Sequence, residues 1–365
     1  MFDPKKIKRI AINTGGGDAP GLNAVIRAAT LAATEMGWEV LGVRHGYRGL
    51  LDTEHLVPLT RKSVRGITHL GGTILGTANK GNPFEYPIKT PEGIKTIDVS
   101  DQVVENFHDK KLDALVCIGG DGSLRIAQMF INKGLPIIAV PKTIDNDLYG
   151  TAATFGFDTA VTTATEAIDK LHSTAESHER VMVVEVMGRY AGWIALNSGL
   201  SGTADIILIP EIPFSFGKIA ETIMRRELAG KHHDIAVVAE GAKPLGGDMM
   251  TKGPKEAGRE VILGGIGQYV ADEIAKITGK ETRSLVLGHL QRGGSPTTFD
   301  RLLGLRFGAA AIRALAEGKI NTMVALNPPD VNTIPIADVV GKMKSVPLDS
   351  DTLSTARSLG VCLGD

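Results

Sequence analysis

The chain of 365 residues is longer than one ordinary hydrophobic core requires, so two domains or two interleaved halves are expected. Its 40 lysines and arginines nearly balance its 41 aspartates and glutamates, so the composition implies no general surface for nucleic acid or another polyanion, and any basic cluster must be local. The two cysteines, Cys117 and Cys362, are too few for a disulfide framework or a cysteine-rich metal site, and they favour a reducing compartment.

Short apolar runs alternate with stretches of helical periodicity along the chain. Strands are expected at residues 10–12 and 40–43, with a helix over 23–36 between them. Further strands are expected at 114–117, 137–140, 181–184, 206–209, 235–239 and 285–287, and a second helix at 159–177. This alternation predicts an α/β fold with mainly parallel sheets, in which ligands bind at the carboxyl ends of the strands.

A glycine-rich turn, Gly119-Gly120-Asp121-Gly122-Ser123, directly follows one of these strands. Glycines let backbone N–H groups approach phosphate oxygens closely, and a carboxylate inside such a turn can hold the metal that accompanies them. NAD kinases and diacylglycerol kinases have a similar turn, so it does not by itself identify one kinase type. A second turn, Gly15-Gly16-Gly17-Asp18, follows the first strand, although its glycines could equally serve only a tight turn.

The segment Pro141-Lys142-Thr143-Ile144-Asp145-Asn146-Asp147 follows the next apolar run. Two carboxylates this close together could be a solvated loop. At the end of a buried strand, however, a carboxylate can accept the proton of an attacking sugar hydroxyl as a general base. Together with the glycine-rich turn, the segment predicts phosphoryl transfer to a small phosphorylated metabolite.

Several segments together resemble the signature of the 6-phosphofructokinases. They are Thr143 to Asp147, Met187-Gly188-Arg189-Tyr190-Ala191-Gly192 and Leu287-Gly288-His289-Leu290-Gln291-Arg292-Gly293-Gly294-Ser295-Pro296. With Gly15 to Arg27 and Asp300-Arg301, the resemblance covers roughly residues 7 to 320. It implies the phosphofructokinase fold of two Rossmann-like lobes. The phosphoryl donor would bind residues 1–155 plus about 290–340, and the sugar phosphate would bind residues 156–289 plus about 341–365.

The resemblance implies a role for each matching residue on the donor side. Asp121 would hold Mg²⁺, and the donor phosphates would lie against Gly16, Gly17, Lys80, Gly120, Gly122, Ser123 and Lys142. Asp145 would take the proton from the 1-hydroxyl of fructose 6-phosphate, with Thr143 and Asp147 beside it. The product would be fructose 1,6-bisphosphate, formed in glycolysis.

On the sugar side, the resemblance implies that Arg189 stabilises charge on the transferring phosphoryl group. The other sugar-phosphate ligands would be Met187, Gly188 and Glu240 around the sugar and His289, Arg292, Arg180 and Arg283 around the 6-phosphate. In this family the arginines matched by Arg180 and Arg283 come from a neighbouring subunit, which implies a homo-oligomer, a dimer or tetramer with shared active sites. Read alone, Arg180 could be an exposed salt-bridge residue and His289 a core histidine.

The residues that indicate the phosphoryl donor in this family, at positions 122 and 142, match neither the pattern of ATP users nor that of pyrophosphate users. ATP users resemble one another in having glycine at the positions of Gly122 and Lys142, whereas pyrophosphate users have aspartate and lysine there. An aspartate at position 122 would occupy the space of the nucleotide's α-phosphate and repel it, so Gly122 favours ATP. Lys142 could contact a donor phosphate without excluding a nucleotide, or could simply be exposed. Pyrophosphate remains the alternative donor.

Other function classes stay open at this point. If the chain were a NAD or lipid kinase, the segments around Arg189 and Arg292 would have no role. A catalytically inactive sensor of nucleotide or sugar phosphate would have lost Asp121, Asp145 or Arg189, and all three are present. Sedoheptulose 7-phosphate and related sugar phosphates stay open as acceptors. The N-terminal residues lack the apolar stretch of a signal peptide and no apolar run is long enough to span a bilayer, so a cytoplasmic protein without a membrane partner is expected.

Overall fold

The computed structural model describes residues 2–78, 81–91, 93–251 and 263–365. The chain divides into two compact units. Unit 1 comprises Met1–Ile144, Leu148–Asp158 and Arg292–Met343, and unit 2 comprises Asp145–Asp147, Thr159–Gln291 and Lys344–Asp365. The three residues Asp145–Asp147 therefore group with unit 2, although the sequence placed them with the first lobe.

The helices and strands follow one another in the order expected of an α/β protein. They are β1 (Arg9–Thr14), α1 (Leu22–Glu35), β2 (Glu39–Val43), α2 (Arg48–Leu51), β3 (Leu56–Leu59), β4 (Tyr86–Thr90), β5 (Gly93–Ile97), α3 (Ser100–Asp109), β6 (Ala114–Gly119), α4 (Asp121–Asn132), β7 (Ile137–Pro141), α5 (Phe157–Ser177), β8 (Val181–Val186), α6 (Trp193–Ser201), β9 (Ile206–Leu208), α7 (Phe216–Leu228), β10 (Asp234–Ala239), α8 (Ile266–Thr278), β11 (Thr282–Val286), α9 (Thr298–Ala316), β12 (Thr322–Asn327), β13 (Asp330–Pro335) and α10 (Asp351–Ser358). Short 3₁₀ turns occupy Pro4–Lys6, Thr53–His55, Pro83–Glu85, Gly288–Arg292 and Ile336–Asp338.

Unit 1 is built on a seven-stranded sheet in the order β13-β12-β7-β6-β1-β2-β3. The inner strands are parallel, and the edge strands β3 and β13 are antiparallel to their neighbours. The mainly parallel α/β fold predicted from the sequence is confirmed. The antiparallel edges and the separate β4–β5 hairpin were not predicted, because neither edge strand has a long apolar run.

The strand order of this sheet reverses at β1. Strand β2 pairs with one edge of β1, and β6, which comes later in the chain, pairs with the other edge. Parallel sheets bind ligands where the order reverses, in the crevice beyond the carboxyl ends of the strands. Thr14 of β1 lies opposite Ile118 of β6, so the loops that follow these two strands leave the sheet side by side.

The core of unit 1 lies on both faces of the sheet because its central strands are buried throughout. Ile10 and Ile12 of β1 point to one face, where they pack with apolar side chains of α1 and α9. Ala11 points to the other face, which is covered by α3 and α4. Two covered faces explain why these strands read as continuous apolar runs.

Unit 2 is built on a four-stranded, entirely parallel sheet in the order β11-β8-β10-β9. Apolar residues of α7 and α8 form its core with one face of the strands, and α6 packs on β9 and β10. Helix α5 was predicted at 159–177, and its expected apolar face includes the buried residues Ala164, Ile168 and Ala175. Among the described residues, no helix combines the length and apolar character that a membrane crossing requires.

Candidate active site

Two glycine-rich loops meet at the carboxyl edge of the unit 1 sheet. The N–H of Gly15, after β1, donates to the carbonyl oxygen of Ile118 in β6 at 2.9 Å. A Cβ atom on Gly15 would lie 2.5 Å from Ser123 Oγ, so only glycine leaves room for the Ser123 side chain between the loops. Gly16 has φ +75°, which also favours glycine. Predicted donor residues Gly16, Gly17, Gly120 and Ser123 therefore lie at one edge.

The segment before residues 79–80 supports the first loop. Thr77 Oγ1 donates a hydrogen bond to the carbonyl oxygen of Gly16. Thr14 Oγ1 donates to the carbonyl oxygen of Gly76 at 2.8 Å. These bonds fix the position of the loop from a second side. Lys80, also predicted to bind the donor, lies outside the described residues.

Lys142 belongs to this loop structure. Its side chain is only 4% exposed, and Nζ donates to the carbonyl oxygen of Gly17 at 2.5 Å. Its N–H donates to the carbonyl oxygen of Gly119 at 3.0 Å. The alternative that Lys142 is an exposed lysine is wrong. The residue connects the end of β7 to both glycine loops, which places a positive charge where donor phosphates would need one.

Helix α4 begins at Asp121 and directs its free N–H groups toward the same edge. The Asp121 carboxylate accepts a hydrogen bond from Arg125 Nε at 2.9 Å, and both side chains are partly exposed. Within the described parts of the chain, no three His, Cys, Asp or Glu side chains form a metal cluster. One accessible carboxylate beside a phosphate cradle suits Mg²⁺ that arrives bound to phosphates and keeps its waters, rather than a resident ion.

Gly122 faces open space. Outside its own helical turn, no heavy atom of the described residues lies within 4 Å of a Cβ atom placed on it. Its φ is not in the left-handed region, so neither the backbone nor a neighbour requires glycine here. The space that a side chain at position 122 would enter is therefore available to a ligand.

Tyr47 and Cys117 form a buried pair beneath the second loop, which the sequence did not single out. The Tyr47 hydroxyl lies 3.1 Å from Cys117 Sγ and donates to the carbonyl oxygen of Ser123 at 3.3 Å. Burial raises the pKa of Cys117 to about 11, and burial also raises the pKa of Tyr47 well above its usual value. Both groups stay protonated, so Cys117 is a packing residue and not a nucleophile.

Arg292 also lies at the donor edge of unit 1. Its Nη1 donates to the carbonyl oxygen of Asp18 at 3.1 Å, and a Cβ atom on Gly17 would lie 2.9 Å from the same nitrogen. His289, its predicted partner on the 6-phosphate, groups with unit 2. His289 is exposed in the 3₁₀ turn after β11, so its interpretation as a core histidine is wrong.

The predicted base region spans both units. Thr143 belongs to unit 1, where its carbonyl oxygen accepts a hydrogen bond from Thr154 Oγ1 at 2.7 Å. Asp145–Asp147 belongs to unit 2. Its central residue, Asn146, has φ +52°, a left-handed conformation that asparagine tolerates better than most residues. We call these three residues the 145–147 segment.

The carboxyl edge of the unit 2 sheet brings together the predicted sugar residues. Ala239 of β10 lies opposite Val186 of β8, so Met187, Gly188 and Glu240 leave adjacent strands side by side. The N–H of Met187 donates to Oε1 of the buried Gln291 at 3.3 Å. Gly188 has φ +134°, and a Cβ atom there would lie 2.8 Å from the carbonyl oxygen of Ala191. Glycine is therefore required at this turn.

Arg189 lines a small cavity at this edge. Its guanidinium carbon lies 5.7 Å from the centre of the Tyr190 ring. The cavity has a volume of about 170 Å³ and is lined by Arg189, Tyr190, Pro210, Gly241, Lys243 and Met249. A cationic cavity beyond parallel strands suits a phosphorylated ligand.

The two remaining arginines share one carboxylate. Glu281 Oε1 lies 3.2 Å from Arg180 Nη2 and 2.6 Å from Arg283 Nη2. Arg180 is half-buried and Arg283 exposed, so Arg180 does form the ion pair that the sequence left open. Glu281, two residues before Arg283, was missed because nothing in its own pattern distinguishes it from a surface glutamate.

Comparison with known proteins identifies the family. A phosphofructokinase family profile matches residues 9–315. The chain belongs to the phosphofructokinase family. This membership replaces the NAD-kinase, lipid-kinase and sensor alternatives, and it confirms the resemblance read from the signature segments.

The names of individual relatives include two different phosphoryl donors, ATP and pyrophosphate. The chain is 51% identical over 360 residues to the ATP-dependent 6-phosphofructokinase of Chloroflexus aurantiacus, covering 99% of each chain. It is 49% identical over 341 residues to the pyrophosphate–fructose 6-phosphate 1-phosphotransferase of Amycolatopsis methanolica, covering 93% of this chain and 96% of that one. The structure of Pichia pastoris phosphofructokinase in the T-state matches with a TM-score of 0.78 at 32% identity, covering 97% of this chain and 37% of that one. Overall identity therefore does not decide the donor.

Proposed function

We propose that the protein is an ATP-dependent 6-phosphofructokinase of glycolysis. It transfers the terminal phosphoryl group of ATP to the 1-hydroxyl of fructose 6-phosphate and releases ADP and fructose 1,6-bisphosphate. Family membership supports the reaction, and the open space at Gly122 is the observation that carries the choice of ATP. In this proposal the donor binds mainly to unit 1 and the sugar phosphate mainly to unit 2.

The donor side is assembled from backbone and positive charge. Gly16, Gly17, Gly120 and Ser123 present backbone groups to the phosphates, and Lys142 compensates their charge. Asp121 would hold Mg²⁺, which supplies charge neutralisation on the donor phosphates when it is bound. Arg125 then has to give up its contact with Asp121, which is cheap because an exposed ion pair contributes only about 0–1 kcal/mol.

On the acceptor side, Asp145 accepts the proton of the 1-hydroxyl while the oxygen of that hydroxyl forms a bond to the terminal phosphorus of ATP. The bond from that phosphorus to the bridging oxygen breaks, and ADP leaves with the electron pair. Arg189 stabilises the charge of the transferring group. The base is oriented by Thr143 and Asp147. The sugar is held by Met187, Gly188 and Glu240. The 6-phosphate is bound by His289, Arg292, Arg180 and Arg283.

The pyrophosphate-dependent reaction is the second candidate because Lys142 is the residue typical of pyrophosphate users and two curated relatives are named for that donor. Initial rates with purified protein, Mg²⁺ and fructose 6-phosphate separate the two when ATP and pyrophosphate are compared at equal concentrations. A rate with ATP at least tenfold above that with pyrophosphate is expected. The reverse preference would mean that Lys142 outweighs the open space at Gly122.

Lys142→Met is expected to weaken both donors and not to change which one is preferred. The variant loses the charged hydrogen bond to Gly17, which is worth about 1.5–3 kcal/mol, so the KM for either donor is expected to rise about 10–100-fold. Steady-state KM values for ATP and pyrophosphate provide the measurement. Loss of pyrophosphate activity alone would show that Lys142 selects the donor.

Glu281→Gln is expected to lower the KM for fructose 6-phosphate about two- to fivefold, since an ion pair of this exposure is worth about 0–1 kcal/mol. Removing the shared negative charge leaves Arg180 and Arg283 free to bind phosphate, including that of a neighbouring subunit if the protein is a dimer or tetramer. The matched control is Glu227→Gln, an exposed glutamate that contacts Lys280. A raised KM would mean that Glu281 holds the arginines in place instead.

A further inference from the structure

The C-terminal part of unit 2 returns to the 145–147 segment. The N–H of Lys344 donates to the carbonyl oxygen of Asp147 at 2.8 Å. Lys344 Nζ donates to Asn146 Oδ1 at 2.9 Å. One residue, 198 positions further along the chain, thus holds both the backbone and a side chain of this segment. The sequence gives no sign of this contact, because Lys344 lies in a polar stretch outside every motif.

Lys344 also contacts the start of α6, directly after the segment that contains Arg189. Trp193 Nε1 donates to the carbonyl oxygen of Lys344 at 2.9 Å, and Lys344 Nζ lies 5.6 Å from the centre of the Trp193 ring. Two residues on, the N–H of Val346 donates to Glu211 Oε1 at 2.8 Å, and the same carboxylate accepts the N–H of Gly192. Residues 344–346 therefore link the 145–147 segment to the turn that ends at Gly192.

We propose that Lys344 is a positioning residue for catalysis, which fixes the 145–147 segment so that Asp145 points in one direction. The proposal rests on the proposed function insofar as Asp145 is the base. Asn146 is in a left-handed conformation, and the Lys344 ammonium provides a charge-assisted hydrogen bond to its side chain. A misplacement of the base by about 1 Å can lower the rate by about 10²-fold.

The protonation of Lys344 adds a second, independent prediction. Burial lowers the pKa of Lys344 to about 8, and the opposing effect of Asp147 is smaller. The carboxylates on the elements packed around it are Asp145, Asp147 and Glu211, and the Trp193 ring covers it from α6. Below pH 8 the ammonium is charged and its hydrogen bond to Asn146 is strong. Above pH 8 it becomes neutral and holds the segment less firmly.

Lys344→Met tests the proposal, with Lys342→Met as the matched control. Lys342 is an exposed lysine two residues earlier, whose Nζ lies 5.1 Å from the centre of the Tyr149 ring. Lys344→Met is expected to lower kcat about 10–100-fold with a much smaller change in the KM for ATP. Lys344→Arg, which keeps a charged donor, is expected to recover part of the loss. Wild-type kcat in Lys344→Met, or an equal loss in Lys342→Met, would overturn the proposal.

The pH profile separates positioning from a merely structural role. Wild-type kcat is expected to fall as the pH rises through about 8, because Lys344 loses its proton there. Lys344→Arg stays charged throughout this range and is expected to lack that fall. An identical alkaline fall in both proteins would contradict the proposal.

Hydrogen exchange tests the contact without any assay of activity. In Lys344→Met, amides of the 145–147 segment are expected to exchange at least about tenfold faster than in wild type, and those of β6 and β10 to stay protected. Trp193→Phe, which removes the donor to the Lys344 carbonyl and replaces the indole beside Nζ with a smaller aromatic ring, is expected to give a smaller increase. If wild type does not phosphorylate fructose 6-phosphate, the proposed function fails while this measurement still stands. Unchanged exchange in Lys344→Met would overturn the positioning role itself.

Discussion

Asp145→Asn is expected to leave the protein folded and to lower kcat with ATP and fructose 6-phosphate by about 10²–10⁴-fold. Asparagine has nearly the same size as aspartate and still accepts hydrogen bonds, but its amide cannot take the proton of the 1-hydroxyl. The loss should therefore appear in kcat, with the KM for each substrate changed far less. Steady-state kinetics together with thermal unfolding provide the measurement.

A matched control distinguishes loss of the base from loss of a negative charge. Asp330→Asn makes the same change at an exposed aspartate in the edge strand β13 and is expected to have wild-type kinetics. The unfolding temperature of Asp145→Asn should stay within a few degrees of wild type. If Asp145→Asn keeps near-normal kcat, Asp145 is not the base, and Asp147 becomes the carboxylate to test next.

The sequence predicted β1, β6, β7, β8 and β10 because those strands are covered on both faces, but it missed β12, an inner strand that is also largely buried. The runs that became β6 and β7 are apolar throughout, and each ends at a glycine or polar motif that the structure places at the carboxyl edge. The edge strand β13 was missed because none of its residues is fully buried and its side chains include Asp330, Asn332 and Thr333. Strand β3 was missed because it is four residues long and contains Pro58.

Candidate site residues were predictable where they lie within the motifs, and their supporting contacts were not. Lys142 was recognised from the sequence, but its burial and its bond to Gly17 depend on how β1 and β7 are placed by the sheet. Tyr47, Glu281 and Lys344 each make at least one contact with a residue 70 or more positions away in the sequence. A local sequence pattern does not predict such long-range contacts, because only the folded chain brings the two residues together.

Gly122→Asp is expected to lower kcat/KM with ATP by about 10³-fold. An added carboxylate would enter the open space beside Gly122, and two unit charges about 4 Å apart repel by about 4 kcal/mol at an effective dielectric constant of about 20. Each 1.4 kcal/mol corresponds to about a factor of ten. Pyrophosphate has no α-phosphate to be repelled, so its kcat/KM should change much less.

Two further variants at the same position separate charge from volume. Gly122→Ala adds only a Cβ atom to open space within a helical turn, so it should keep ATP activity and raise stability by up to about 1 kcal/mol. Gly122→Asn has the shape of the aspartate without its charge, and the difference between the two variants measures repulsion alone. If Gly122→Asn loses as much ATP activity as Gly122→Asp, the added side chain excludes the nucleotide by its volume and not by its charge. If Gly122→Asp keeps wild-type kcat/KM with ATP, the nucleotide does not approach position 122, and donor choice has to lie with Lys142.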